Sequence, residues 1–300
     1  MNYRLGAFGW LTSPEFIKEG GASNAGLLDQ LAALQWIKQY IHLFNGDPER
    51  VTVFGQSAGA SSILHHLTSY GGPQLGRKYG PPPFQRAILQ SPAFFPQVDD
   101  KKEQSIYSNL LKLTNSYSLE DLRNTDSRVL QFASNFMIQT AKYGQFTFGP
   151  AVDDLLVPAP LSILLDKGFY WPKYQVMVAD NGNEGLLFSP PTVQSDSSFR
   201  SLISQRLPGL TPEGLEEVVK MYPTDDSFTP KQRVQRVANA ISELAVLCNT
   251  QYVLKAYGGP YRNAYNYKFG VYPGFHGQDA FFTVSLHLFL LGCHFLLLYI

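Results

Sequence analysis

The chain alternates between short β-rich runs and longer helical stretches. Between residues 25 and 44, apolar side chains recur at spacings of three and four, which predicts a helix with one buried face. Short apolar runs at 51–54, 87–89, 174–179 and 264–269 predict strands. Strands that alternate with helices predict an α/β fold with a mostly parallel sheet flanked by helices.

Punctuating residues extend this pattern at both ends of the chain. Residues 2–11 predict a further strand and its turn, because Gly6 and Gly9 interrupt the run. Thr211 and Thr229 each precede a proline, and proline is favoured at the first helical position, so two more helices are expected there. The second of these helices is predicted to run to Tyr257, where two glycines follow.

Charge and cysteine content exclude several classes of protein. The 300 residues carry 24 basic and 24 acidic side chains, so no net field attracts nucleic acid or an anionic membrane. No basic stripe with interleaved aromatic residues occurs, so we expect no nucleic-acid partner. Two cysteines, Cys248 and Cys293, form neither a disulfide framework nor a metal-binding pattern, although one bridge remains open.

The motif with the clearest chemistry is Gly-Gln-Ser-Ala-Gly at residues 55–59. A Gly-X-Ser-X-Gly sequence alone is a weak signal, but this one lies directly between a β-rich run and a helix. That setting produces a sharp strand-to-helix turn that exposes a serine hydroxyl. The start of the following helix also favours the negative charge of an oxyanion. Ser57 is therefore the candidate nucleophile.

A serine nucleophile needs a base and an acid that orients the base. In a fold of this type these residues follow later strands, in the order serine, carboxylate, histidine. Glu184 follows the predicted strand that ends at residue 179, with Asp180 as an alternative closer to the strand end. His276 lies in a glycine-bounded loop after the last predicted strand, whereas the other five histidines fall in helices or in the apolar tail.

Taken together, these segments resemble the type-B carboxylesterase/lipase family, the cholinesterase-like esterases, in a fungal-type variant. The resemblance is carried by the segments Asn-Tyr-Arg-Leu-Gly at 2–6, Asn-Gly-Asp-Pro at 45–48, the serine motif, Asn-Gly-Asn-Glu-Gly at 181–185 and His-Gly-Gln-Asp at 276–279. They agree with the family in order and in spacing over residues 1 to about 282.

The resemblance implies an α/β-hydrolase fold and a triad of Ser57, Glu184 and His276. It also implies the backbone N–H of Ala58 as one oxyanion donor. The implied reaction cleaves small-molecule or lipid esters through an acyl-enzyme, without cofactor or metal. Two alternatives stay open: a non-catalytic binding module on the same fold, and a membrane-anchored esterase.

The sequence departs from the family pattern at both ends. Family members carry a Gly-Gly loop and early strands upstream of the Asn-Tyr-Arg segment, so we expect the N-terminal strands to be missing here. Residues 1–282 are predicted to form one partial hydrolase domain, and 283–300 an apolar tail of different origin. Residues 280–300 contain no charge and are long enough to span a membrane. A gene-model artefact, a packed helix and a genuine anchor all stay open for this tail. The family is often secreted, but no signal peptide is recognisable, which leaves the localisation open.

Several aromatic residues are candidates for the walls of a substrate pocket or for the core. They are Phe94, Phe95, Tyr143, Phe146 and Phe148.

Overall fold

Four parallel strands form the sheet of the computed structural model, which describes residues 1–93, 100–207, 209–225, 227–259 and 263–283. The strands lie side by side in chain order: β1 (Thr52–Gln56), β2 (Arg86–Gln90), β3 (Gln175–Asn181) and β4 (Ala264–Phe269). Thr52 pairs with Arg86, Arg86 with Gln175, and Val176 with Ala264. Because all four strands run the same way, their carboxyl ends meet at one edge of the sheet.

Helices connect and cover these strands. Those in the first half of the chain are α1 (Gly6–Trp10), α2 (Pro14–Lys18), α3 (Ala25–Tyr40), α4 (Ala58–Leu67), α5 (Gly72–Leu75), α6 (Asp100–Leu113), α7 (Leu119–Asn124) and α8 (Ser127–Gln139). Those in the second half are α9 (Leu161–Asp166), α10 (Asp196–Arg206), α11 (Pro212–Met221), α12 (Pro230–Ser242), α13 (Cys248–Tyr257) and α14 (Ala280–Thr283). A 3₁₀ turn, Ile41–Phe44, extends α3, and a π turn, Glu243–Leu247, joins α12 to α13.

The main core lies between the sheet and its helices. Helix α4 packs on β1 and β2, and α13 packs on β3 and β4. Fully buried Val53, Leu89 and Val176 contribute the sheet side of this core. Burying such β-branched and leucine side chains stabilises the fold by about 1.5–3 kcal/mol each. The junction of β1 and α4 is therefore built on the most deeply buried part of the sheet.

The predicted helix starts at Thr211 and Thr229 are confirmed. Each threonine hydroxyl accepts a hydrogen bond from the backbone N–H three residues later, and proline follows as the first helical residue. The predicted helix over 25–44 is also present, with its last four residues in the 3₁₀ turn. Phe44, the last apolar residue of the predicted pattern, lies in that turn and is 67% exposed.

The predicted strand near the N-terminus is wrong. Residues 2–5 form no strand, and Gly6–Trp10 is helix α1. The backbone N–H of Arg4 donates to the carboxylate of Asp29 at 3.0 Å, and the Arg4 guanidinium also binds that carboxylate. A strand here would need a partner for that N–H, and the acidic side chain on α3 supplies one instead.

The described residues include one of the two cysteines and only the start of the apolar tail. Cys248 is exposed and carries a free thiol, whereas Cys293 and residues 284–300 lie outside the described residues. Within the described ranges, no helix is long and apolar enough to cross a membrane.

Candidate active site

Ser57 occupies a strained turn between β1 and α4. Its φ of 59° and ψ of −119° lie in a region that residues other than glycine rarely adopt. The turn is held because the Ser57 N–H donates to the carbonyl of Gln90 at 2.8 Å. Such strain persists only where the surrounding structure imposes it, and here β2 and the first turn of α4 do so. The predicted strand–turn–helix setting of the serine is therefore present.

The other two predicted triad residues are hydrogen-bonded to each other. Nδ1 of His276 lies 2.5 Å from Oε2 of Glu184, and both side chains are buried. The second carboxylate oxygen of Glu184 accepts from Ser91 Oγ at 2.6 Å and from the backbone N–H of Asn181 at 2.5 Å. Together with a longer contact from Asn181 Nδ2 at 3.4 Å, these donors compensate for the desolvation of the buried carboxylate.

Asp180, the alternative acid, lies elsewhere. It belongs to β3, and its carboxylate is 3.8 Å from Nζ of Lys268 on β4. Burial raises the pKa of Asp180, and the lysine opposes that shift. No hydrogen bond joins Asp180 to His276 among the described residues, so the geometry favours Glu184 as the residue that orients the histidine.

The acid loop and the histidine loop are joined by their backbones. The N–H of Asn183 donates to the carbonyl of Gly274 at 2.7 Å, and the N–H of Gly182 donates to Phe269 at 3.0 Å. Gly274 has a φ of 71°, and a Cβ there would lie 3.0 Å from the Gly182 nitrogen. Only glycine permits this close approach.

Buried Asp279 anchors the far side of the histidine loop. Its carboxylate accepts from Gln90 Nε2 at 3.0 Å, from Tyr267 Oη at 2.8 Å and from Asn181 Nδ2 at 3.1 Å. These donors come from β2, β4 and β3, so one carboxylate ties three strands to the loop that carries His276. Asp279 therefore shapes the histidine loop, as its position in the motif suggests.

The remaining ring nitrogen of His276 faces Gln56 instead of Ser57. Nε2 of the histidine lies 3.2 Å from Nε2 of Gln56, and Gly277 packs against the same amide. Among the described residues no hydrogen bond joins Ser57 Oγ to His276. Catalytic contacts of this kind are often open in the absence of substrate. Gln56 is a residue that the sequence analysis passed over, although it stands inside the serine motif.

The predicted oxyanion donor lies at the start of α4. Ala58 is exposed. Because it is the first residue of that helix, its N–H has no carbonyl partner one turn earlier. Together with the helix dipole, this N–H is suited to bind a developing negative charge next to Ser57.

A cavity of about 360 Å³ opens beside the serine. Ser57, Ala58 and Glu184 contribute to its wall, which is otherwise mostly apolar. Of the aromatic candidates, Phe146 and Phe148 line it, but Tyr143 does not, because its hydroxyl donates to the Leu187 carbonyl on the surface. Phe94 and Phe95 lie outside the described residues. An apolar pocket with few polar groups is typical of a site for a small organic ligand.

No group of three or more histidine, cysteine or acidic side chains within the described ranges is arranged to hold a metal ion.

Comparison with known proteins agrees with this geometry. The model of the Carboxylesterase family matches residues 1–290. The chain belongs to the carboxylesterase family. Among its relatives, Carboxylesterase patB of Penicillium expansum is 35% identical over 285 residues, which cover 93% of this chain and 49% of that protein. Lipase 5 of Diutina rugosa is 30% identical, over 87% of this chain and 50% of that protein.

A solved esterase structure supports the same assignment. Aspergillus niger EstA superposes with a TM-score of 0.76 at 29% identity, over 89% of this chain and 52% of that one. The predicted α/β-hydrolase fold is thereby confirmed, as is the resemblance to the type-B carboxylesterases. The chain spans about half the length of the carboxylesterase relatives named here.

Proposed function

We propose that this carboxylesterase-family chain hydrolyses carboxylic esters through a covalent acyl-enzyme on Ser57. The observation that carries the proposal is the hydrogen bond between Glu184 and His276, formed next to a strained serine that borders an apolar cavity. Residues 1–282 would act as one catalytic domain. The wall of the cavity suits an ester with an apolar acyl or alcohol portion.

In the first half of the reaction, Nε2 of His276 would leave its contact with Gln56 and accept a hydrogen bond from the Ser57 hydroxyl. It would then remove the proton of that hydroxyl. Ser57 Oγ attacks the ester carbonyl, and the resulting oxyanion is stabilised by the N–H of Ala58. The protonated histidine then gives its proton to the leaving alcohol, so that the C–O bond breaks and the acyl group stays on the serine. Glu184 stabilises the imidazolium throughout.

In the second half, water replaces the alcohol. His276 takes a proton from the water, which attacks the acyl carbonyl, and then returns the proton to Ser57 Oγ. The carboxylic acid leaves, and the starting state is restored. Each proton transfer uses the same ring nitrogen, whereas Nδ1 keeps its contact with Glu184.

Covalent labelling tests the proposal directly. A fluorophosphonate should label the purified chain once, and the label should be absent from Ser57→Ala. Ser61→Ala is the matched control, since Ser61 lies one turn further along α4 in the same cavity. The expected companion result is slow turnover of a p-nitrophenyl ester. A folded chain that is not labelled would contradict the proposal and favour a binding module.

The identity of the acid can be tested in the same assay. Glu184→Gln should slow labelling by about 10³–10⁴-fold, because the histidine loses the carboxylate that fixes its tautomer. Asp180→Asn should leave labelling within a few-fold of the parent, since Asp180 contacts Lys268 rather than His276. The opposite ranking would return Asp180 to the role of catalytic acid.

A further inference from the structure

One face of α4 forms part of the cavity wall. Ser61, Ser62 and His65 all line the cavity, and the two serines precede His65 by four and three residues, which places both of them next to it on the helix surface. His65 follows Ser57 by eight residues, which corresponds to about 12 Å along the helix axis. His65 therefore lies in the cavity wall about two helical turns from the nucleophile.

The two serines on this face already have hydrogen-bond partners. Ser61 Oγ lies within hydrogen-bond distance of the carbonyl oxygens of Ser57 and Ala93, at 3.1 and 3.0 Å. Ser62 Oγ accepts from Nε2 of Gln30 at 3.2 Å. Neither hydroxyl requires a group from a ligand.

His65 differs from both serines. Its side chain is more than nine-tenths buried, and neither ring nitrogen has a hydrogen bond to any described residue. Nδ1 is sealed from solvent. Nε2 is not sealed in this way, and His65 lines the cavity, so Nε2 is the ring nitrogen that a molecule in the cavity could reach. Nearly all buried polar groups in proteins have a hydrogen-bond partner, so the lack of one at Nε2 needs a specific explanation.

The protonation state of His65 follows from its surroundings. Burial lowers its pKa to about 3, with a smaller contribution from the neighbouring His66, so the imidazole is neutral and carries one N–H. Because an unpaired buried N–H is rarer than an unpaired acceptor, the proton belongs on Nε2 rather than on the sealed Nδ1. A neutral N–H donor thus stands in a largely apolar wall.

We propose that His65 is a specificity-determining residue that donates a hydrogen bond to an oxygen atom carried by the substrate, about two helical turns from Ser57. This inference rests on the proposed ester hydrolysis. The substrate class is an ester whose apolar portion ends in a hydroxyl or carbonyl group. A site with an unsatisfied polar group discriminates against ligands that lack the matching atom more strongly than an apolar pocket does.

The test compares two substrates that differ by one oxygen, p-nitrophenyl octanoate and p-nitrophenyl ω-hydroxyoctanoate. In the parent chain the ratio of kcat/KM should favour the hydroxylated ester, and His65→Phe should lower that ratio about tenfold. His65→Gln retains an N–H donor and should recover part of the preference. His66→Gln is the matched control, because His66 hydrogen-bonds to Gln30 and does not line the cavity. An unchanged ratio in His65→Phe would overturn the proposal.

A binding measurement separates this proposal from the proposed reaction. Ser57→Ala should bind ω-hydroxyoctyl phenyl ether more tightly than octyl phenyl ether, and adding His65→Phe should abolish the difference. Calorimetry detects this whether or not the chain turns over esters. Discrimination without turnover would uphold the role of His65 and reject the hydrolysis, whereas equal affinities in Ser57→Ala would reject the role of His65.

Discussion

The side-chain amide nitrogen of Gln56 lies 3.2 Å from Nε2 of His276, the ring atom that would accept the Ser57 proton. An amide nitrogen can only donate, so Nε2 is the acceptor and Nδ1 carries the proton toward Glu184. This is the tautomer that a general base in this position requires. The same contact also occupies the lone pair that would accept the Ser57 proton. Gln56 therefore holds His276 in the required tautomer and also competes with Ser57 for Nε2.

Gln56→Leu should therefore accelerate acylation. Removing a hydrogen bond worth about 0.5–1.5 kcal/mol frees Nε2 for the serine, which corresponds to fluorophosphonate labelling about three- to tenfold faster. Labelling rates measured under single-turnover conditions check this. Gln39→Leu, on the exposed side of α3, is the control. Slower labelling of Gln56→Leu would mean that the amide chiefly orients the imidazole.

Ser91→Ala should lower the stability of the fold. Ser91 Oγ donates to Glu184 at 2.6 Å in a buried environment, and hydrogen bonds to charged groups contribute about 1.5–3 kcal/mol. The free energy of unfolding in urea should decrease by that amount. Ser197→Ala, at an exposed serine on α10, should change it by less than about 0.5 kcal/mol. Equal effects of the two substitutions would contradict the assigned role of Ser91.

Gly185→Ala should displace the acid loop. A Cβ at Gly185 would lie 2.1 Å from the Ala238 carbonyl oxygen and 2.7 Å from the Ser242 nitrogen, both backbone atoms of α12. Because backbone cannot give way as a side chain can, we expect a loss of about 1–3 kcal/mol or more in unfolding free energy. Labelling of Ser57 should fall as well, since Glu184 is the adjacent residue.

Gly270→Ala serves as the control for this substitution, because a Cβ there meets no atom within 4 Å. If both alanine variants lost the same stability, contact with α12 would not be the cause, since the effect of this substitution on the unfolded chain is stabilising.

Two buried histidines predict a loss of stability in acid. Burial lowers the pKa of His65 to about 3 and that of His66 to about 4, whereas both titrate near 6.5 in the unfolded chain. Above about pH 6.5 neither state binds the extra proton, so these two histidines do not make stability depend on pH there. As the pH falls below that value the unfolded state gains protons first, and stability falls by up to about 1.4 kcal/mol per pH unit and per histidine.

Urea unfolding at several pH values between about 7 and 4.5 measures this slope. His65→Phe should reduce it, and His42→Phe, at an exposed position, should not. A slope that is the same in His65→Phe as in the parent would show that His65 is protonated in the folded chain.

The four strands could be predicted because each is a short β-rich run that is recognisable without its neighbours, as around buried Val53. The sequence favoured Glu184 as the acid and left Asp180 as an alternative, since both follow the same run. The structure separates them because β3 continues to Asn181, which keeps Asp180 within the sheet beside Lys268. Glu184 lies beyond the strand, where the chain turns toward His276.

The supporting residues were harder to predict. Gln56 and Ser91 are recognisable only through hydrogen-bond partners that lie far away along the chain. His65 is recognisable only because its ring has no such partner among the described residues. Residues 2–5 illustrate the reverse error, because their pattern is that of a strand and yet Asp29 takes the backbone N–H of Arg4. Local sequence patterns indicate which residues are buried. Which partner a backbone N–H finds depends on the tertiary structure.

The distance along the chain between the reacting groups has a consequence for folding. Gln56 and His276 are 220 positions apart, and Glu184 and His276 are 92 apart, so the proposed site exists only after all four strands have paired in register. Contacts of such long range form late, since their loop-closure entropy must be overcome first. The time at which Ser57 becomes reactive during refolding would thus report when the sheet is complete. Pulses of a fluorophosphonate at successive refolding times would measure the rate of that last step.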